Sequence, residues 1–395
     1  MSGSESSAAV PTSGPISGPR LFAPHERRIL LWLCAGAISW RWVCAVRSPL
    51  PSVAACRDLW LAERLAHGEF ALLADAVAQP WWALLLWPPV AAGCDAFATA
   101  QMLACVIGGL LVWPVAVAAQ RLREGAGVPA AVLALAAGGL AASAGGGGAT
   151  ALLAIAVAVA VVGIAARRWV LAAVAGTLAL APGLEAIVSS AAYRGSWHWH
   201  ELRFGWGTSA ALALWCVLPP RPRALPLLCL LAAAMFATSV VRGSLQWLLV
   251  SWPIVAVLAA VGLARLPVRV RDIALCAAVL AEFWIGWQAI EPSTAFVERA
   301  LGQHLRRHLT EGSSVVSDLP RVQLFAGSRP TGFSDDNALL AAAGGDGVAY
   351  VVLGPALAQH ATVTSALGGR FARFELPHDL GDLVAEGKLA VFVRR

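Results

Sequence analysis

Residues 56 to 89 read CRDLWLAERLAHGEFALLADAVAQPWWALLLWPP. A charged, helix-like start (Arg57, Asp58, Glu63, Arg64) gives way to a break at Gly68 and Glu69, then to an apolar end rich in Trp and Pro. The chain on both sides is mostly Ala, Leu and Val. A dense cluster of charge between two long hydrophobic stretches reads as a loop between two membrane crossings.

Composition supports that reading. The mean hydropathy is +0.70 and only 13% of the residues are charged, against about 25% in a soluble domain. Apolar runs of about 18 residues or more recur along the chain, as membrane-spanning helices require. The fold class expected is an α-helical polytopic membrane protein. The net charge of +6 is almost entirely arginine, since Lys388 is the only lysine. The arginines cluster at span ends, where they set orientation, so no nucleic-acid partner is expected. All eight cysteines lie between Cys34 and Cys276 without CxxC or Cys/His spacing. Neither a zinc site nor a disulfide framework is expected, and no cofactor is implied.

The organisation follows from apolar length. Residues 1–24 are rich in Ser, Gly and Pro and read as a disordered cytoplasmic tail. No cleavable signal peptide is expected. Residues 25–290 read as a membrane domain of about nine spans, near 29–46, 98–120, 128–145, 148–166, 169–189, 206–219, 224–241, 245–264 and 272–290. The stretch Trp81 to Gly93 is too short to cross and holds prolines, so it reads as re-entrant or interfacial. Arginine clusters at 25–28, 121–123, 167–168, 221–223 and 265–271 fall on one side of this arrangement. They place the N-terminus in the cytoplasm. The loops 47–97 and 190–205, the glycine turn at 145–148 and the tail after 290 fall on the other side.

Residues 291–395 differ in kind. TAFVERALGQHLRRHL (294–309) has apolar residues at helical spacing. SSVVSD, VAYVVLG and LAVFVRR read as strands, and NALLAAAG and ALAQHATVTSALG as helices. A small extracytoplasmic α/β domain is expected. It has no glycine-rich phosphate loop at a strand-to-helix junction; GGDG at 344–347 reads as a turn.

The layout resembles the GT-C class of polyprenyl-phosphate-sugar-dependent glycosyltransferases, particularly the bacterial protein-mannosyltransferase-like and RgtA-D-like group. The resemblance rests on RDLWLAERLAHGE (57–69), QPWWALLLWPP (79–89) and DAFATAQMLACVIGGLLVWPVAVAAQRL (95–122), with SSVVSDLPRVQLFAGSRP and VAYVVLG in the tail. It implies a lipid-linked sugar donor, membrane lipids around the chain, an acceptor that is a glycan, lipid or protein, and an inner-membrane location. It also implies an acidic base on a short helix of the first outer loop. In this sequence that acid is Asp58, ten residues before Gly68. The family's acid stands about fourteen before, where this chain has Ala54. One helical turn separates the two positions on the same face. The chain therefore reads either as an active enzyme with Asp58 one turn along or as a degenerate, non-catalytic homologue.

In the active reading Arg57, Arg203 and Arg242 are candidates for the donor phosphate, because a guanidinium matches its oxygens bidentately. The loop SAAYRGSWHWHELRFGW (190–206) supplies aromatics for stacking on a sugar. His198, His200 and Glu201 supply hydrogen bonds, and could hold a divalent metal only weakly at this spacing. The bland alternatives are an interfacial aromatic belt and a solvated Asp58 paired with Arg57. Four charges sit inside or at the ends of spans: Arg41, Glu185, Arg242 and Glu282. Arg41 has the length to snorkel, and Glu185 and Glu282 read as lying near outer span ends. A membrane transporter or a non-catalytic envelope protein are the rival classes. Intramembrane ionisable residues are few for a transporter, and no inverted repeat is visible.

Overall fold

A computed structural model describes residues 21–48, 50–75, 80–178, 224–242, 245–288, 295–331, 333, 336–386 and 388–395. The first half of the chain is helical. It comprises α1 (Pro24–Arg47), α2 (Val53–Ala66), α3 (Leu72–Asp75), α4 (Pro80–Ala91), α5 (Ala96–Leu110) and α6 (Val112–Leu122). Then come α7 (Gly127–Ala136), α8 (Gly138–Gly145), α9 (Thr150–Ala165) and α10 (Trp169–Leu178). After the next described residue come α11 (Leu225–Arg242), α12 (Leu245–Leu263) and α13 (Val268–Gln288).

Among the described residues, α1 and the continuous stretch Ala96–Leu122 are each long and apolar enough to cross a bilayer, and α7 with α8 makes a third if taken as one span. The expected spans at 148–166, 224–241, 245–264 and 272–290 coincide with α9, α11, α12 and α13. The span near 206–219 and the second half of 169–189 lie outside the described residues. The α5–α6 stretch is dislocated at Leu111. Pro114 causes this, since it offers no N–H to the carbonyl of Leu110. The segment read as re-entrant is α4, 12 residues long with Pro88 and Pro89 inside. At about 1.5 Å per residue it is too short to cross.

Four expectations need correction. Residues 21–24 are not part of a disordered tail. Phe22 is buried beside Trp113, ring centroids 6.3 Å apart, and Glu26 accepts from the backbone N–H of Ala23 at 2.8 Å. That apolar anchor and the cap start α1 at Pro24. Next, 128–145 is not one straight span: α7 and α8 meet at Ala137 with a bend of 43°. Finally, Arg41 does not snorkel. It is fully buried and turns back into the bundle, donating from Nη1 to Ala37 O and from Nη2 to Ala134 O, each 3.1 Å. Glu282 is likewise buried, packed against the first residue of α8 in mid-bundle rather than at a span end.

Small residues let the bundle close. The Cα of Gly138 lies 2.9 Å from where a Cβ on Gly286 would sit, so α8 and α13 touch through their backbones. At one end of α1, Phe22 meets the α6–α7 turn at Gly127. At the other end, α1 meets the glycine turn. Gln101 Nε2 donates there to Ala45 O, Ser48 O and Gly145 O at 2.7–3.2 Å.

The tail is a mixed α/β unit. Its strands are β1 (Ser314–Ser317), β2 (Val348–Leu353), β3 (Phe371–Arg373) and β4 (Ala390–Arg394), in the order β1-β2-β4-β3. The β1–β2 pair is parallel and the other two pairs are antiparallel. Helices α14 (Ala295–His308), α15 (Pro320–Phe325), α16 (Asp336–Ala343), α17 (Ala361–Gly368) and α18 (His378–Glu386) complete it. Tyr350 and Val352 of β2 face one core with Leu301 and Leu305, while Val351 and Leu353 face another with Leu339 and Val363. The helical membrane class and the small C-terminal sheet unit expected from sequence are borne out. β3, α15 and α18 were not anticipated. β3, with three residues, and α15, with six, are too short to show a period.

The tail packs onto the first loop. Leu324 of α15 belongs to the same apolar cluster as Leu59, Trp60, Trp82 and Leu86. Arg321, also on α15, is buried. Its Nε donates to Pro51 O at 2.6 Å, and Nη1 stands 3.9 Å from Glu298 of α14. Loop and tail therefore share one side of the bundle.

Candidate active site

The site is built on α2. Ser52 caps it, its hydroxyl accepting from Ala55 N at 3.2 Å. One face, Ala55, Cys56, Leu59, Ala62 and Leu65, is buried against α4 and α5. Gly68, with φ of 88°, turns the chain in a conformation that favours glycine. Phe70 packs edge-on against Trp87 at 5.2 Å to close the hairpin with α4.

Asp58 sits in the first half of α2, half-buried. Among the described residues its carboxylate has no hydrogen bond or ion pair. Burial pushes its pKa up to about 7, and the Arg57 guanidinium pulls it partly back. A carboxylate desolvated in this way is about half ionised at neutral pH, and its ionised form is poised to accept a proton. Ala54, where the resembling family has its acid, is the second residue of α2. Asp58 therefore lies about 6 Å further along the helix axis.

Of the sequence candidates, Asp58 and Arg57 are together on α2, both half-buried. His198, His200, Glu201 and Arg203 lie outside the described residues, and so does the 190–205 loop. Arg242 ends α11, and its side chain is outside what is described. Among the described residues no group of three or more His, Cys, Asp or Glu side chains could hold a metal ion.

Two cations that the sequence reading did not assign to the site stand at the Trp60 ring of α2. The guanidinium carbons of Arg64 and Arg329 lie 5.7 and 5.9 Å from the Trp60 ring centroid. Arg64 also bonds Glu69 at 3.0 Å and Gly327 O at 3.3 Å. Arg329 comes from the tail, more than 250 residues away along the chain, and no spacing rule connects it to Trp60.

No family model and no curated protein matches the sequence. A solved structure does match the fold: ArnT from Cupriavidus metallidurans bound to undecaprenyl phosphate. It aligns with a TM-score of 0.61 at 13% identity, over 94% of this chain and 98% of that one. The chain has the GT-C fold. The likeness runs through the membrane helices and the tail, because so large a share of both chains is included.

Proposed function

We propose that this protein is a membrane glycosyltransferase that moves a sugar from a polyprenyl-phosphate donor to an extracytoplasmic acceptor. The observation that carries this reading is a half-buried carboxylate, without a hydrogen bond or ion pair among the described residues and poised near neutral pH, on the first loop helix of a GT-C fold that aligns with 98% of the ArnT chain. The undecaprenyl phosphate bound to ArnT belongs to the chemical class of the leaving group. In the step, the acceptor hydroxyl oxygen attacks the anomeric carbon. The bond from that carbon to the phosphate oxygen breaks, and its electron pair leaves with the phosphate. The hydroxyl proton passes to Asp58, and the sugar centre is inverted. Arg57, Arg203 and Arg242 stabilise the phosphate charge. His198, His200 and Glu201 bind sugar hydroxyls. Orientation follows the arginine clusters, with the N-terminus cytoplasmic and residues 47–97 and 291–395 outside.

A second reading, a chain that keeps the fold without transfer, is favoured by Ala54 alone.

The test uses purified full-length protein and a panel of radiolabelled sugars on polyprenyl phosphate, with an envelope extract as acceptor source. Expected is release of polyprenyl phosphate matched by label in the extract. Absence of both across the panel would select the second reading. A reporter active only in the cytoplasm, fused after Arg395, should be silent; activity there overturns the orientation.

A further inference from the structure

The bend at Ala137 breaks one particular backbone hydrogen bond. In a continuous helix, Gly138 N–H would donate to Ala134 O. Here neither group is left bare. Gly138 N–H donates to Glu282 Oε2 at 3.2 Å, and Ala134 O accepts from Arg41 Nη2 at 3.1 Å. The two fully buried charges of α1 and α13 thus occupy the two ends of the same broken bond. In hydrocarbon such freed groups must find partners inside the protein, since no water supplies them. A carboxylate at the start of α8 also suits the positive end of that half-helix.

The far end of α8 is tied to the candidate base. Gly146 O accepts from Ser52 N, the cap residue of α2, at 2.9 Å. Trp82 Nε1 of α4 donates to Gly147 O at 2.9 Å. Gly145 O takes Gln101 at 2.7 Å. A half-helix of eight residues spans only about 12 Å, so where α8 begins decides where α2 is seated.

We infer that Arg41 and Glu282 are positioning residues: they splint the α7–α8 break and, through α8 and its glycine turn, hold the helix that carries Asp58. Its bearing on catalysis rests on the transferase reading; its bearing on α2 does not.

The experiment therefore has a readout free of activity. Cys56 is buried on α2, whereas Cys94 is exposed beyond α4. Full-length protein in detergent is treated with a maleimide, and each thiol is followed by peptide mass spectrometry. Arg41→Met and Glu282→Leu are each expected to speed labelling of Cys56 tenfold or more and to leave Cys94 within twofold. Glu282→Gln keeps an acceptor for Gly138 but loses the charge, so it should fall between, at about threefold; charge-assisted bonds are roughly twice as strong as neutral ones. The pair Arg41→Met/Glu282→Leu should label within about twofold of the faster single variant, because both serve one broken bond. Unchanged Cys56 labelling in any folded single variant, or effects that multiply, overturns the inference. If Glu282→Leu does not fold, the Gln variant decides alone. In transfer assays the same variants should lower kcat about tenfold with the donor KM unchanged. If the unmodified protein transfers nothing, the transferase reading fails and the Cys56 rates still decide the splint.

Discussion

Asp58→Asn is expected to remove measurable sugar transfer, by a factor of about 100 to 10,000, and at the same time to raise the thermal midpoint at pH 8. Both effects follow from one feature, a half-buried carboxylate whose pKa burial pushes up to about 7. As a base it must be ionised, so kcat/KM of the unmodified protein should climb about tenfold per pH unit below 7 and level off above. Stability runs the other way. A folded pKa above the unfolded value of about 3.9 means that the folded chain holds the proton more tightly. The contribution is full below pH 4 and is lost as pH rises towards 7. The amide carries no charge to desolvate and escapes that loss. Glu63→Gln is the control: Glu63 is exposed on the same helix, five residues on and about 140° round it, and should leave activity intact. Full activity in Asp58→Asn, measured with protein of normal fold, would move the base elsewhere, with Asp75 next in line.

The second large effect is at the seam between tail and loop. Arg321→Met should loosen the tail by about 1.5 to 3 kcal/mol, the usual loss when a hydrogen bond from a charged group is removed. Arg321 is only 5% exposed. Its loss leaves Pro51 O without this donor and Glu298 without this cation. Hydrogen exchange of the β1 and β2 amides reads the change. If they exchange through tail opening, their rates should rise at least tenfold. Arg394→Ala is the comparison, because its partner Asp346 is fully solvated, its hydrogen bond to Gly345 O is exposed and such contacts contribute little; exchange there should change by less than about threefold. Equal rates in the two variants would show that Arg321 does not hold the tail.

Much of this was legible in the sequence because the bilayer is a strict solvent. Hydrophobic length and clustered arginine mark spans residue by residue, without any long-range contact. Three of the four tail strands, β1, β2 and β4, declared themselves as short runs rich in valine. Asp58 stood out because the resemblance implies an acid on the first loop helix, and Asp58 lies one turn beyond the expected position at Ala54. Arg41 was visible too, but its direction was not. Snorkelling and burial differ by one rotation of a long side chain, and Ala134 lies 93 residues away. The break at Ala137 was not read as one because GVPAAVLALA and GGLAASAG are both apolar; the only local mark is the Gly138-Gly139 pair that follows it.

The sequence by itself determined the apolar or polar character of each segment, the helical membrane class, the α/β tail and the residue types offered to a site. Those depend on local composition and period. Only the tertiary structure decided that Arg329 stands over Trp60, that Arg321 reaches Pro51, and that Arg41 and Glu282 complete one broken hydrogen bond. These are pairings of groups far apart in the chain. Their partners are backbone carbonyls, N–H groups or a ring face, which residue identity and spacing do not single out, so packing alone selects which of them meet.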